Sequence, residues 1–325
     1  MKATAVAPSN IAFIKYWGKK DEDLKIPENG SVSMNLSNLL TTTTVEFSPE
    51  FKKDTMIINS ENDYKESNKV IQQLDLIRKR ANLFQKAKVV SINNFPAGTG
   101  LSSSASGFAA LTLAATKAAG LNLGEKELSI FARQGSGSAC RSIPDGFVEW
   151  LDGGTSDTSY AISLYSPDYW KIVDIVAIVS REKKDISSTD GQKFASTSPL
   201  FKTRLNNINK KIKRFKESLE TRNFTQFGQI IEEEALELHA IMLTSIPSLI
   251  YWLPETLKIM KLVKKWRTDG LETYFTVNTG QDIHLIIEEK NKKKLVEKLK
   301  KIKEVKNIIV NQPANGARLV NKHLF

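Results

Sequence analysis

The chain has 325 residues, of which 41% are hydrophobic and 8% aromatic, and this predicts a folded globular protein with room for two domains. No apolar run approaches the ~20 residues of a membrane-spanning helix, and the first residues show no charged and apolar leader. The single cysteine, Cys140, excludes an internal disulfide framework, and three scattered histidines give no case for a structural zinc site. We therefore expect a cytoplasmic protein without a membrane partner or a bound metal.

The formal charge of +11 raises nucleic acid as a partner. Much of the positive charge lies near residues 210–216, 261–265 and 292–301, where lysines alternate with Leu, Ile and Val at helical spacing. Such runs are typical of solvated helix faces, and no basic stripe interleaved with aromatic residues accompanies them. We expect no nucleic-acid partner. A basic enzyme also attracts small polyanionic substrates.

Strand and helix patterns alternate along the chain. The first part is predicted to form strands at 3–15, 40–59, 88–92, 147–151, 160–165 and 174–180 and helices at 64–86 and 103–119. The second part is predicted to form helices at 199–221, 224–243, 254–267 and 291–303 and strands at 272–278, 283–288 and 307–311. This order predicts an α+β protein with two layered halves, divided near residue 180 into domains 1–180 and 181–325.

A glycine- and serine-rich segment at residues 93–107, NNFPAGTGLSSSASG, joins a predicted strand to a predicted helix. Glycines let backbone amides approach an anion closely, and the helix N-terminus adds the positive end of its dipole. The segment lacks the Gly-Lys-Ser/Thr ending of a Walker loop. By itself it fits phosphate binding and an ordinary helix cap equally well.

Two further segments carry candidate site residues, PSNIAFIKYWGKK at 8–20 and GSGSACRS at 135–142. On the residues alone, Lys15 could be a surface lysine, Tyr16 a core aromatic and Arg141 a structural ion-pair partner. Together with the glycine-rich segment, however, they resemble the superfamily of galactokinase, homoserine kinase, mevalonate kinase and phosphomevalonate kinase. Within it the resemblance is to the mevalonate diphosphate decarboxylases, and it runs nearly end to end.

The resemblance implies a ribosomal-S5-like N-terminal half, a ferredoxin-like C-terminal half and an active site in the cleft between them, and it leaves a homodimer open. It implies that Arg141 grips the substrate carboxylate through its planar guanidinium, and that Lys15 lies near the reacting 3-oxygen. The implied substrate-binding residues are Tyr16, Lys19, Ser136, Ser138, Arg141 and Ser188, and the implied nucleotide-phosphate residues are Gly100, Ser103 and Ser104.

The chain departs from the family pattern at three places. Asn278, in YFTVNTGQD at 274–282, occupies a position where the family has an aspartate. The usual aromatic-Gly-Gly after the arginine is here replaced by Ile143, Pro144, Asp145 and Gly146. The family's loop arginine, implied to contact the terminal phosphate, has no clear match around 63–70, where Lys65 is the nearest cation. The last departure favours a 5-monophosphate over a 5-diphosphate.

An amide cannot take the proton of the 3-hydroxyl, which is the role that the resemblance assigns to the aspartate. A carboxylate about 4 Å from a 3-phosphate already in place would be repelled by roughly 4 kcal/mol per charge pair at an effective dielectric near 20. An amide donor would instead support the leaving oxyanion. Asn278 therefore suits the loss of a 3-phosphate better than its formation.

With Lys15, Asn278 and Arg141 as catalytic residues, these considerations predict an archaeal-type decarboxylase that needs no ATP. It would convert mevalonate 3,5-bisphosphate to isopentenyl phosphate, CO2 and phosphate without a cofactor, and the glycine-rich turn would be a vestigial ATP site. One alternative is an ATP- and Mg²⁺-dependent decarboxylase of mevalonate 5-phosphate or 5-diphosphate. A second is a mevalonate 3-kinase, and a third is a non-catalytic or nucleic-acid-binding descendant.

Overall fold

The computed structural model describes residues 1–59, 64–96, 100–180, 182 and 184–325, with backbone alone for residues 64–67. It confirms the predicted α+β class, with two halves that each contain a sheet packed against helices. The strands are β1 Lys2–Ile14, β2 Lys19–Asp21, β3 Ile26–Pro27, β4 Ser31–Ser48, β5 Thr55–Ile58, β6 Lys86–Asn93, β7 Phe147–Trp150, β8 Ala161–Tyr165, β9 Ile172–Ile178, β10 Tyr274–Thr276, β11 Ile283–Glu288, β12 Asn307–Asn311 and β13 Arg318–Val320. The α-helices are α1 Tyr64–Ala81, α2 Ser103–Ala118, α3 Glu125–Gly135, α4 Ser188–Gly191, α5 Phe201–Glu220, α6 Phe224–Thr244, α7 Pro254–Thr268 and α8 Lys292–Lys300.

The described strands form a large seven-stranded sheet, a smaller four-stranded sheet and an antiparallel pair of β2 and β3. The large sheet runs β13-β1-β4-β6-β5, with β7 paired to β4 and β8 to β7, and only its β5–β6 pair is parallel. The smaller sheet runs β10-β11-β9-β12 and is antiparallel throughout. β9 therefore belongs to the second sheet although it precedes residue 180, and β13 returns to the first. The domain division at residue 180 stays a prediction.

Three of the five buried apolar clusters among the described residues hold these layers together, because each of the two larger sheets buries a face against helices. In the first core, Ala3, Ala5 and Ala7 of β1 pack with α1, α2 and α3. In the second, the smaller sheet packs on α7 and α8. The third joins the two halves: Phe13 at the far end of β1 contacts the rings of Phe215 in α5 and Phe227 in α6, at centroid distances of 5.8 and 4.9 Å. The end of β1 is thus anchored beside the C-terminal half.

Most predicted elements are present with ends shifted by a few residues, and the strands 283–288 and 307–311 have the predicted bounds. The segment 40–59 is different. It contains the end of β4, which already begins at Ser31, and then a turn before β5. Among the described residues, no helix combines the length and the apolar character needed to span a bilayer.

Candidate active site

A cleft of about 1050 Å³ lies at the junction of the two halves. Its lining includes nearly every residue that the sequence singles out, namely Lys15, Tyr16, Lys19, Gly100, Ser103, Ser104, Ser136, Ser138, Arg141, Ser188 and Asn278. Binding pockets for a single small ligand usually occupy ~300–1000 Å³, so the cleft has room for two. The structure brings the predicted residues together.

Lys15 follows directly after β1 and is almost fully buried. Its backbone N–H donates to Glu234 Oε1 at 3.0 Å, and its carbonyl accepts hydrogen bonds from Asn29 Nδ2 at 2.9 Å and Arg204 Nη2 at 3.0 Å. Glu234, on α6, is also ion-paired with Arg204 at 2.5 Å and with Lys211 at 3.0 Å. A buried charge network therefore fixes the position from which the Lys15 side chain starts.

The Lys15 ammonium group meets the C-terminal half at Asn278. Nζ donates to Ala12 O at 2.7 Å and to Asn278 Oδ1 at 3.0 Å. Burial lowers the pKa of Lys15 to about 7, and nearby Arg141 lowers it further against the opposing effects of Glu234 and Asp174. A lysine with such a pKa is present partly as the neutral amine at neutral pH.

Asn278 is held on three sides. Besides accepting from Lys15, its Nδ2 donates to Ser102 Oγ at 3.3 Å. Its backbone carbonyl lies 3.0 Å from His239 Nε2. Burial lowers the pKa of His239 to about 3, so the ring is neutral at neutral pH and Nε2 carries the donated hydrogen. Asn278 thus connects Lys15 with the start of the glycine-rich helix.

Arg141 is a buried cation in the short 3-10 turn Gly137–Ser142. Nη1 donates to Ser31 Oγ at 2.7 Å and Nη2 to Asn10 Oδ1 at 3.2 Å. Among the described residues, no carboxylate pairs with Arg141, and its Nε has no hydrogen-bond partner. Isolated buried charge is unfavourable, so this guanidinium is set up to receive an anion.

The predicted phosphate-end residues lie around Arg141. Tyr16 is partly buried, with its ring edge-on to Trp150 at 4.6 Å, and a Cβ at Gly137 would come within 2.7 Å of the Tyr16 hydroxyl. Only glycine therefore lets the turn pass this close to Tyr16. Lys19 Nζ is paired with Glu22 at 2.5 Å, so an anionic ligand would compete with that carboxylate.

The serine loops face one another across the cleft. Ser136 Oγ donates to Ser104 Oγ at 3.4 Å, and the backbone carbonyl of Ser138 accepts from Asn10 Nδ2 at 3.2 Å. Ser103 is the first residue of α2. The roles of these serines in binding substrate or nucleotide remain predictions.

Residues 97–99 of the glycine-rich turn lie outside the described residues, whereas residues 100–102 at its end are described. Gly100 has φ +105°, and a Cβ there would meet Gly280 Cα at 2.8 Å, so the turn touches the loop of the other half. Ser102 is also left-handed, at φ 56°, and Ser9 Oγ donates to Leu101 O at 2.6 Å. Sequence reasoning missed Ser102, whose only signal was its place beside Ser103.

Lys184 is a second residue that sequence reasoning missed. Its Nζ donates to Ser188 Oγ at 2.7 Å and to Thr279 O at 2.7 Å, and burial lowers its pKa to about 8. Ser188, a predicted substrate ligand, here contacts Lys184 and Thr279. In the sequence, Lys184 lies within a run of charged residues that resembles a solvated loop.

Three lysines, Lys19, Lys25 and Lys69, line one end of the cleft. Lys25, left-handed at φ 52°, donates to the carbonyl of Gln134. Burial and then the neighbouring Lys19 and Lys69 lower the pKa of Lys25. Lys65, the cation nearest in sequence to the expected loop arginine, has a side chain outside the described residues. Lys69, one helical turn later, lines the cleft instead.

The donor atoms bear on a metal and on a nucleophile. Among the described residues, no three His, Cys, Asp or Glu side chains cluster as metal ligands. The serine hydroxyls fit a Mg²⁺ ion that arrives on nucleotide phosphates, since Mg²⁺ binds largely through such phosphates and keeps several waters. Cys140 is buried, and burial raises the pKa of its thiol to about 12, so the reactive thiolate is disfavoured.

Comparison with known proteins decides the family. Residues 7–161 match a model described as the diphosphomevalonate decarboxylase-like N-terminal domain, and residues 174–321 match one for the mevalonate 5-diphosphate decarboxylase C-terminal domain. The diphosphomevalonate decarboxylase of Candida albicans is 35% identical over 317 residues, which cover 92% of this chain and 88% of that protein. This chain belongs to the diphosphomevalonate decarboxylase family. It is therefore a carboxy-lyase of the mevalonate pathway.

Solved structures agree. The mevalonate diphosphate decarboxylase from Enterococcus faecalis is 36% identical, with a TM-score of 0.92 over 99% of both chains. A structure described as MDDEF in complex with MVAPP, AMPPCP and magnesium is 37% identical, with a TM-score of 0.93 over 99% of both chains. These likenesses confirm the two-domain α+β architecture.

The prediction that no cofactor is needed is wrong. Relatives that match nearly the whole chain are diphosphomevalonate decarboxylases, and one was solved with a nucleotide analogue and magnesium beside the phosphorylated mevalonate. The inference failed because it relied on a single amide, Asn278, while the serine-rich turn was intact. The relatives also favour the ATP-dependent alternative over the reading based on the archaeal 3,5-bisphosphate enzyme.

Proposed function

We propose that this protein catalyses the ATP-dependent decarboxylation of mevalonate 5-diphosphate. The 3-hydroxyl would take the γ-phosphoryl group of ATP. The 3-phosphate would then leave as the carboxylate departs as CO2, and an alkene would form. The relatives' names and the MVAPP and AMPPCP of one relative support this proposal.

The observation that carries the proposal is Arg141. It is a buried guanidinium without a carboxylate partner among the described residues, within the same cleft as Lys15. Its planar N–H groups suit a carboxylate. Once CO2 has left, the cation no longer has a carboxylate to hold, which helps release of the product.

The basic group Lys19, Lys25 and Lys69 supports the 5-diphosphate over the 5-monophosphate. These lysines are close enough for Lys19 and Lys69 to lower the pKa of Lys25. Concentrated positive charge of this kind is relieved by a multiply charged anion. The group thus offers charge for the terminal phosphate where the expected loop arginine is lacking.

At the other end of the cleft, Ser103, Ser104 and the N-terminus of α2 are proposed to face the nucleotide phosphates. Lys184 lines the same cleft and is a cation able to contact those phosphates. ATP bound with Mg²⁺ supplies the phosphoryl group. The residues bind and orient it.

The test measures CO2, ADP and the alkene from mevalonate 5-diphosphate with Mg-ATP, beside parallel reactions with mevalonate 5-phosphate and mevalonate. We expect ADP and CO2 in equal amounts from the 5-diphosphate and no CO2 when ATP is omitted. Turnover of the 5-phosphate alone would assign a monophosphate enzyme.

Asn278 favours one second candidate, a mevalonate 3-kinase that stops after phosphorylation. Loose phosphoryl transfer depends little on a general base, so loss of the carboxylate is compatible with it. ADP without CO2, together with a stable 3-phosphate, would establish this function. Equal amounts of ADP and CO2 would reject it.

A further inference from the structure

Transfer of a phosphoryl group to the 3-hydroxyl releases a proton, and among the described residues no carboxylate is hydrogen-bonded to Lys15 Nζ or to the Asn278 side chain. Lys15 Nζ donates to the neutral oxygens of Ala12 and Asn278, and the Asn278 side chain bonds Lys15 Nζ and Ser102 Oγ. The nearest acid along these contacts is Glu234. Its carboxylate oxygens are already bound to Arg204, Lys211 and the backbone N–H of Lys15. The Asn278 amide cannot be protonated at neutral pH.

The geometry around Lys15 Nζ offers a different acceptor. Its hydrogen-bond partners among the described residues are two acceptors, Ala12 O at 2.7 Å and Asn278 Oδ1 at 3.0 Å. A neutral amine has two N–H groups and one lone pair, so these contacts use both donors and leave the lone pair. An ammonium would keep a third N–H without a described partner. The site therefore accommodates the neutral amine fully.

We propose that Lys15 Nζ, held as a neutral amine by Ala12 and Asn278, accepts the proton of the substrate 3-hydroxyl during phosphoryl transfer. The inference rests on the proposed function. The O–H bond breaks and its proton moves to Nζ, while the oxygen bonds to the γ-phosphorus and ADP leaves with the electron pair of the broken P–O bond. The resulting ammonium then lies beside the new 3-phosphate and stabilises its departure.

The groups that face Lys15 are consistent with this role. Burial is the largest influence and lowers the Lys15 pKa to about 7, with Arg141 acting in the same direction. Glu234 on α6 and Asp174 on β9 oppose it but do not overcome it. His239, also on α6, is neutral because burial lowers its pKa to about 3. A charged Asp at 278 would raise the Lys15 pKa, so the neutral Asn278 acts as a positioning residue that keeps the amine available.

The pH dependence of ADP formation at saturating substrates distinguishes a base from a cation. If Lys15 is the base, the rate rises about tenfold per pH unit below pH 7 and levels off above it, because the amine is needed. If Lys15 acts only as a cation, the rate falls above pH 7, and the proposal is overturned. Asn278→Asp should move the rising limb to lower pH, because a carboxylate of lower pKa can then take the proton in place of Lys15.

Two variants guard this test. Lys15→Arg keeps the charge but not a titratable lone pair, so ADP formation should fall by about 10²-fold or more, with affinity for mevalonate 5-diphosphate changed only a few-fold. Near-normal turnover would refute the proton-acceptor role. Lys184→Met removes another lysine of the cleft whose pKa burial lowers, to about 8. This variant should slow ADP formation without changing the pH near 7 at which the rate rises. A change in that pH would assign the titration to Lys184.

Titration of the full chain by NMR of ¹⁵N-labelled lysine separates this inference from the proposed function. A Lys15 pKa above about 9, close to its unperturbed value, would overturn the inference whatever the substrate. A pKa near 7 combined with no turnover of mevalonate 5-diphosphate would overturn the proposed function alone. The pH series would then be run on the phosphorylated mevalonate that is turned over.

Discussion

The two ends of the cleft are held in place by different kinds of contact. At the end with Lys15 and Arg141, the side chains and their backbones are bonded to buried groups such as Glu234, Ser31 and Asn10. At the glycine-rich end, the described residues of the two halves meet where Gly100 approaches Gly280 and where Asn278 Nδ2 donates to Ser102 Oγ at 3.3 Å. We infer that the carboxylate end is organised before substrate arrives, whereas nucleotide binding depends on how the two halves approach one another.

Arg141 should show the largest effect on catalysis. Arg141→Gln removes the buried cation that the carboxylate is proposed to meet, and kcat/KM should fall by about 10²–10³-fold, as for truncation of a buried hydrogen-bonded charge. Arg141→Lys keeps the charge but loses the planar guanidinium. Its kcat/KM should therefore lie between the values of the native protein and of Arg141→Gln. Steady-state kinetics with a thermal-unfolding check gives the answer.

The exposed Arg214→Gln serves as the control for Arg141, since it removes the same charge from the outer face of α5. It should leave kcat/KM within about twofold, because exposed charges contribute little. If Arg141→Gln were equally mild while remaining folded, the carboxylate would have to bind elsewhere.

Glu234 should show the largest effect on stability. Glu234→Gln leaves Arg204 and Lys211 without their shared buried counter-charge, and this should cost ~3–5 kcal/mol of unfolding free energy. The matched control is Glu233→Gln, because Glu233 also contacts Lys211, at 3.4 Å, but is half exposed. The control should lose under about 1 kcal/mol. Urea unfolding measures both, and equal losses would show that the network is not what fixes the Lys15 backbone.

The same carboxylate gives a pH signature. Burial by itself would raise the pKa of Glu234, but Arg204 and Lys211 outweigh it and hold the pKa below its usual range. A lowered folded-state pKa means that the contribution is present above the unfolded pKa, near 4.3, and is lost as pH falls through the folded value. The stability gap between the native protein and Glu234→Gln should therefore narrow on acidification below about pH 4.

Gly100 probes the other end of the cleft. Gly100→Ala introduces a Cβ at a left-handed φ and 2.8 Å from Gly280, so the turn or the opposing loop must shift. We expect KM for ATP to rise by about tenfold, corresponding to ~1.4 kcal/mol of lost binding, with little change in KM for the mevalonate substrate. The control is Gly154→Ala in the exposed loop after β7, where a Cβ meets no atom within 4 Å.

Alanine at position 154 should leave both KM values unchanged, because this loop does not line the cleft. A Gly100→Ala variant that affected both substrates equally would mean that the two ends of the cleft are not independent.

A feature of the structure could be predicted from the sequence when the interactions that decide it are local along the chain. The helix-to-strand order follows from local periodicity, and the strand at 283–288 needed nothing else. β13 escaped detection because three residues near the C-terminus become a strand only by pairing with β1. Likewise, the motifs indicated Lys15 and Arg141, but their burial, and the resulting pKa of Lys15, arise from packing between distant elements. The cofactor inference failed for this reason, since one substituted residue was weighed without its neighbours.

The smallest effect on KM is expected at the basic group Lys19, Lys25 and Lys69. It refines the comparison of the two ends of the cleft by asking which phosphate of the substrate these lysines hold. Lys25→Met and Lys69→Met should each raise KM for mevalonate 5-diphosphate by about 3- to 10-fold, the range of a partly exposed charge contact of ~1 kcal/mol. KM for the 5-monophosphate should change less, because Lys19 is proposed to hold its single phosphate. Lys261→Met, an exposed lysine on α7, is the control. Equal increases for both substrates would show that these lysines attract anions in general and do not recognise the terminal phosphate.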